Sequence, residues 1–195
     1  MTFSKKNLVT MGNMKKLPSV NDIEAPNGKT ANLKTIKLMT EIAREESGDP
    51  LIRQLAINIL NNAKIGSHQY INEARALANW VQKNIAYVKD ATNIEQLHSP
   101  KLMIKKMQEG EQMRGDCDDM SLFLITLLLA IGHSPKLKCV RYKSTNDNDS
   151  YNHIYVIEKT YNHPSPERVI VMDCIVKHKS IGFEVNHSSS DIYDV

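Results

Sequence analysis

Cysteine is scarce in this 195-residue chain, which holds only Cys117, Cys139 and Cys174. An odd number, widely spaced and without a C-x-x-C pair, argues against a disulfide framework and for a reducing compartment. A charge excess is lacking too: 25 basic and 22 acidic residues leave a formal net charge of +3. The lysines are spread along the chain, so charge gives no ground for a nucleic-acid partner. Long apolar runs are missing as well. The longest, residues 122–131, is interrupted by Thr126 and too short to span a bilayer. The N-terminus Met-Thr-Phe-Ser-Lys-Lys lacks an apolar segment, so no secretory signal is expected and the expected location is cytoplasmic. No internal repeat is present.

What remains is an ordinary globular composition, 41% hydrophobic and 24% charged. A chain of this length forms one domain and buries roughly 70% of its unfolded surface. Residues 1–30 have little periodicity and read as a flexible or docking arm, able to engage a protein partner. Residues 31–188 form the domain, and 189–195 a polar tail. Apolar spacing predicts amphipathic helices over about 31–47, 50–64 and 67–85, and a short helix from Ser99-Pro100 to about Met107. The stretch 89–99 reads as a loop. After Gly132 the pattern changes to period two. It predicts strands over Lys136–Lys143, Ile154–Lys159 and Arg168–Cys174, with a short fourth at Phe183-Glu184-Val185. Helices followed by an antiparallel sheet make the expected class α+β. Trp80, the only tryptophan, is expected in the core.

Chemistry concentrates at Gly115-Asp116-Cys117-Asp118-Asp119, where a polar loop meets the run Met120–Ile131. That run predicts a buried helix with Asp116 as N-cap, Asp119 completing a capping box, and Gly132 as the stop. Cys117 then takes the first helical position, where the helix dipole favours a thiolate. Three neighbouring aspartates oppose it, so a reactive Cys117 needs a cation from elsewhere. Of seven histidines, His153 alone opens a strand of alternating character. A symmetric hairpin with the next strand sets His153 directly opposite Asp173, with Cβ atoms about 4.5–5.5 Å apart. Asp173 then orients the imidazole, and His153 serves Cys117. Cys139 and Cys174 read as buried small hydrophobes. The carboxylates of Asp116, Asp118 and Asp119 with His153 offer metal-ligand chemistry, but capping accounts for Asp116 and Asp119, and neither a metal nor a cofactor is expected.

These motifs resemble the transglutaminase-like superfamily, whose fold is related to papain-like cysteine proteases. The matching residues are Trp80–Tyr87, Asp90, Glu95, Ser99-Pro100, Gly115–Asp119 with the helix to Gly132, Asn152–Val156 and Val171-Met172-Asp173. They cover roughly residues 70–185, and the Gly-Asp-Cys-Asp-Asp form looks like members from bacteria, bacteriophages and prophages. The resemblance implies Cys117 as nucleophile, His153 as base and Asp173 as the third member of a triad. It implies attack on an amide carbonyl of a peptide or protein through a thioester, with peptide hydrolysis favoured over crosslinking. The rival expectation is a weak or inactive binding or assembly module, for instance in a phage particle, which makes the expected location cytoplasmic or phage-associated. An oxyanion site needs a donor besides the Cys117 amide. Gln96, His98 and Gln112 are all candidates, and the sequence does not choose among them.

Overall fold

The computed structural model describes residues 20–24, 29–90, 94–142, 151–159 and 169–195. In chain order the elements are β1 (Val20–Glu24), α1 (Lys29–Glu46), α2 (Pro50–Asn62), α3 (Tyr70–Asn84), β2 (Ala86–Tyr87), β3 (Ile94–His98), α4 (Pro100–Gln108), β4 (Arg114–Gly115), α5 (Cys117–Ala130), β5 (Lys136–Arg141), β6 (His153–Lys159), β7 (Val169–Met172) and β8 (Ser189–Asp194). The class is α+β: helices first, then a four-stranded antiparallel sheet of order β7-β6-β5-β8.

Helix α5 is the centre of the packing. It is apolar all round, and every residue from Asp119 to Leu128 is buried. A helix with no polar face must be enclosed on all sides. Here α1, α2, α3 and α4 pack against it, as does β6 of the sheet. Both ends of the helix follow the sequence. The Asp116 side chain accepts from the amides of Asp118 and Asp119, and Asp119 completes the capping box. Gly132 adopts φ +87° after the last turn, a conformation that suits glycine. Trp80 is half-buried and stacks on Phe123 of α5, with centroids 5.9 Å apart. On the far face of the sheet Val140, Tyr155, Ile157 and Val171 form a second, smaller cluster.

Four expectations change. The stretch read as a loop over 89–99 contains β3, which pairs antiparallel with β1, a part of the predicted arm. The remainder of that arm, apart from residues 29–30 in α1, lies outside the described residues, as do residues 160–168 between the two strands of the expected hairpin. Phe183-Glu184-Val185 is not a strand; the fourth strand is β8, in the region read as a polar tail. The reason is backbone pairing. β8 covers the edge of β5 along six residues, and Tyr193 packs on the core, so a polar strand supplies hydrogen bonds rather than apolar bulk. Finally, the β6–β7 register pairs Val156 with Met172 and Glu158 with Ile170. It differs from the symmetric hairpin by two residues, so Asp173 lies diagonal to His153 instead of opposite. A shift of two preserves the face, whereas a shift of one would reverse it.

Candidate active site

The site begins with the turn before α5. Gly115 sits against the capping carboxylate, and a Cβ added there would lie 2.6 Å from Asp119 Oδ2. Only glycine admits this approach. Asp119 is fully buried and gathers three donors. Its Oδ2 accepts from the Asp116 amide at 3.4 Å and from His98 Nδ1 at 2.9 Å, and its Oδ1 accepts from the His98 amide at 2.7 Å. Burial pushes Asp119 up, against the hydrogen bonds from His98. That bond in turn raises His98, outweighing its own burial. The carboxylate thus ties β3 to the start of α5.

Cys117 opens the helix as a half-buried residue, and its thiol points to Asp118 Oδ1 at 3.4 Å. Burial pushes its pKa well up, and the charges of Asp118 and Asp116 add to that push. The Ile154 amide, directed at the sulfur, pulls the other way. The helix dipole therefore does not make a resting thiolate here: burial and like charge outweigh it. The start of α5 is also pinned to β6, because Ser121 Oγ donates to the Ile154 carbonyl at 3.3 Å.

His153, one residue before Ile154, is buried. Its Nε2 is 2.8 Å from Asp173 Oδ2. Asp173 is fixed in turn by the Ile175 amide on Oδ1 at 3.2 Å. The imidazole lies between two tyrosines, stacked on Tyr142 and tilted against Tyr155, each with centroids 5.5 Å away. Tyr155 donates its hydroxyl to Glu184, which also accepts from Lys138 Nζ at 2.6 Å. His153 Nδ1 takes no hydrogen bond among the described residues. A cavity of about 250 Å³ brings His153 and Cys117 onto one surface, along with Asp116, Asp118, Tyr87 and Asn152. The two catalytic candidates share this cavity without a hydrogen bond between them.

None of the three expected oxyanion donors lines the cavity. His98 is committed to Asp119, and it faces a second cavity together with Gln112. Gln96 sits on β3, where its amide bonds Asp90. Tyr87, which was not anticipated, lines the cavity instead. The parallel β2–β4 pair sets it beside Gly115, and burial raises its pKa, with the acidic groups of Cys117, Asp116 and Asp118 adding to the rise. The one sequence signal for it is its place in the Trp80–Tyr87 motif. Asp116, Cys117 and Asp118 bring one ligand atom each within 4.8 Å of one another. Asp119 and His153 do not join them, being held by His98 and Asp173. Cys139 and Cys174 are buried, and burial raises both, Cys139 to about 12.

Another residue that the sequence did not single out is His133, just after α5. Its side chain is fully buried between Glu158 Oε2, 2.8 Å from Nδ1, and Glu73 Oε2, 3.0 Å from Nε2. It lies at the opposite end of α5 from Cys117 and joins α3, α5 and β6. Among the described residues no helix is long and apolar enough to cross a membrane.

No protein-family model matches the chain. No curated protein matches it either. Among solved structures the chain is similar to a candidate cysteine protease from Cytophaga hutchinsonii, with 13% identity, a TM-score of 0.43 and 74% of this chain covered. The match spans half the length of that protein, and a likeness this distant carries no argument about the activity here.

Proposed function

We propose that the chain is a thiol-dependent amide hydrolase or acyltransferase, in the first place a cysteine peptidase, with Cys117, His153 and Asp173 as its catalytic group. The observation that carries this reading is the 2.8 Å bond between His153 and Asp173, made on a wall of the cavity that also holds Cys117. The carboxylate takes Nε2–H and leaves Nδ1 as the nitrogen able to accept a proton.

Because the resting thiol is neutral, His153 acts as a general base at the moment of attack rather than as half of a standing ion pair. The thiol proton passes to Nδ1 as sulfur bonds to the amide carbon. The carbonyl electrons move to oxygen, where the Cys117 amide at the helix start and the Tyr87 hydroxyl donate. Collapse of this intermediate breaks the C–N bond, and the imidazolium gives its proton to the departing amine. A water, deprotonated by His153, then hydrolyses the thioester and restores the thiol. An amine in place of water gives crosslinking.

A second reading, a binding or assembly module with little activity, draws on a specific observation. The thiol is held by Asp118, with no hydrogen bond to His153. One experiment separates the readings: incubation of wild type and Cys117→Ala with peptide, cell-wall and amine-donor substrates. New amino termini from wild type alone support a peptidase. Ammonia released only with added amine supports crosslinking. Identical behaviour of the two proteins supports the binding module and refutes the catalytic reading.

A further inference from the structure

A cavity of about 360 Å³ opens beside the catalytic turn, between α4 and the segment leading into β4. Its polar wall carries His98, Lys106, Gln112 and Arg114 against one carboxylate, Glu111. Such a gathering of positive charge suits an anionic ligand. Among the described residues neither Lys106 nor Arg114 has an ion-pair partner, and Glu111 reaches neither of them. His98 uses Nδ1 for Asp119, which leaves Nε2 without a partner among the described residues. Its floor includes the buried Met103 and Met113, so water is excluded on one side and charge interactions are strengthened.

We propose that this cavity is a binding site for a phosphate group, free or carried on a small organic molecule. Arg114 supplies a planar fork suited to two oxygens of a tetrahedral anion, Lys106 a compact charge, and Gln112 a neutral donor. His98 contributes an N–H from Nε2 when protonated. The groups that set its charge face it from three sides: Asp119 on α5 and Asp90 after β2 favour the imidazolium, and Lys106 on α4 opposes it, with the first dominant. Glu111 and Arg114 complete the charged wall. The volume is several times the ~30 Å³ share of a water, room for a phosphate with an organic group against the methionines. Cys117, His153 and Asp173 take no part, so the site stands or falls apart from the catalytic proposal.

The test is a titration of the full chain with inorganic phosphate, and separately with O-phosphoserine. It is run at pH 6 and constant ionic strength, following the His98 imidazole signals by NMR and heat by calorimetry. Saturable one-site binding is expected. Lys106→Ala and Arg114→Ala should each weaken it by about tenfold or more, because each removes a charge-assisted contact. Both side chains are exposed, so neither variant should alter the fold, which circular dichroism checks. Lys37→Ala on α1 removes the same charge elsewhere and should bind as wild type does. Tighter binding of O-phosphoserine identifies an organic phosphate as the ligand class; equal binding identifies free phosphate. A linear, unsaturable response, or equal affinity in Arg114→Ala, Lys106→Ala and Lys37→Ala, overturns the proposal.

Discussion

Replacing His133 by leucine tests the claim that α5 is anchored at both ends. The imidazole is fully buried, with a carboxylate on each ring nitrogen at 2.8 and 3.0 Å. A carboxylate facing each ring nitrogen favours the imidazolium, in which both nitrogens donate. Burial opposes that charge, but the bonds and charges of Glu158 and Glu73 outweigh it, and the pKa is raised. The second oxygens are used too: Glu73 Oε1 accepts from the Gln69 amide and Glu158 Oε1 from the Ser134 amide. His133→Leu leaves two buried carboxylates facing each other with no cation between them. Removing one partner of a buried ionic cluster costs about 3–5 kcal/mol, a large part of a typical stability of about 5–15 kcal/mol. Urea unfolding at pH 6 should show it as a midpoint lower by roughly 2 M, given a slope of about 2 kcal/mol/M. The pH dependence has a fixed sign. A raised folded pKa means the contribution is fully present below the unfolded value, about 6.5, and lost as pH rises through the folded value. The stability gap between wild type and His133→Leu should therefore be widest at pH 6 and shrink toward alkaline pH. A gap under about 1 kcal/mol, or one that does not change with pH, would refute the reasoning.

Three other outcomes follow from the site. Asp118→Asn removes one of the charges that hold the Cys117 thiol up, so iodoacetamide should label Cys117 roughly threefold or more faster at pH 7; an unchanged rate, with Cys139 and Cys174 as buried references, contradicts the assignment. Tyr87→Phe should lower kcat on a cleaved substrate by about 10²-fold and leave KM nearly unchanged. A change confined to KM would make Tyr87 a substrate-binding residue instead. Gly115→Ala forces a Cβ into the Asp119 side chain and should cost about 1–3 kcal/mol in thermal unfolding; a neutral result means that the turn can shift without penalty.

Much of the site was legible because its determinants are local. An unbroken apolar run has only one stable fate, burial on all sides, and Asp116 and Asp119 cap the helix from within four residues of each other. The pairing of His153 with Asp173 was half legible. Strand alternation fixes which face a residue takes, and parity survived a two-residue error in register. The register itself depends on a connection whose geometry alternation does not encode.

Which upstream side chain lines the cavity beside Cys117 was not legible. Gln96, His98 and Gln112 all precede Cys117 in the chain, but β3 turns His98 toward Asp119, and the approach to β4 turns Gln112 into a different cavity. Tyr87 reaches the site through a two-residue parallel pair with β4, too short to leave a periodic signal. The tail became an edge strand because β5 had an open side, a property of the sheet and not of residues 189–194. Nothing local marks His133, and only the meeting of α3 with β6 made it the centre of a buried ionic cluster. The state of Cys117 turned on the same difference. Its place at a helix start is written in the chain and favours the thiolate, a contribution limited to the first turn. The charges of Asp116 and Asp118 are local too, but how deeply the sulfur is desolvated is set by packing between segments far apart in sequence. That burial, the largest influence on the thiol, outweighs the helix end.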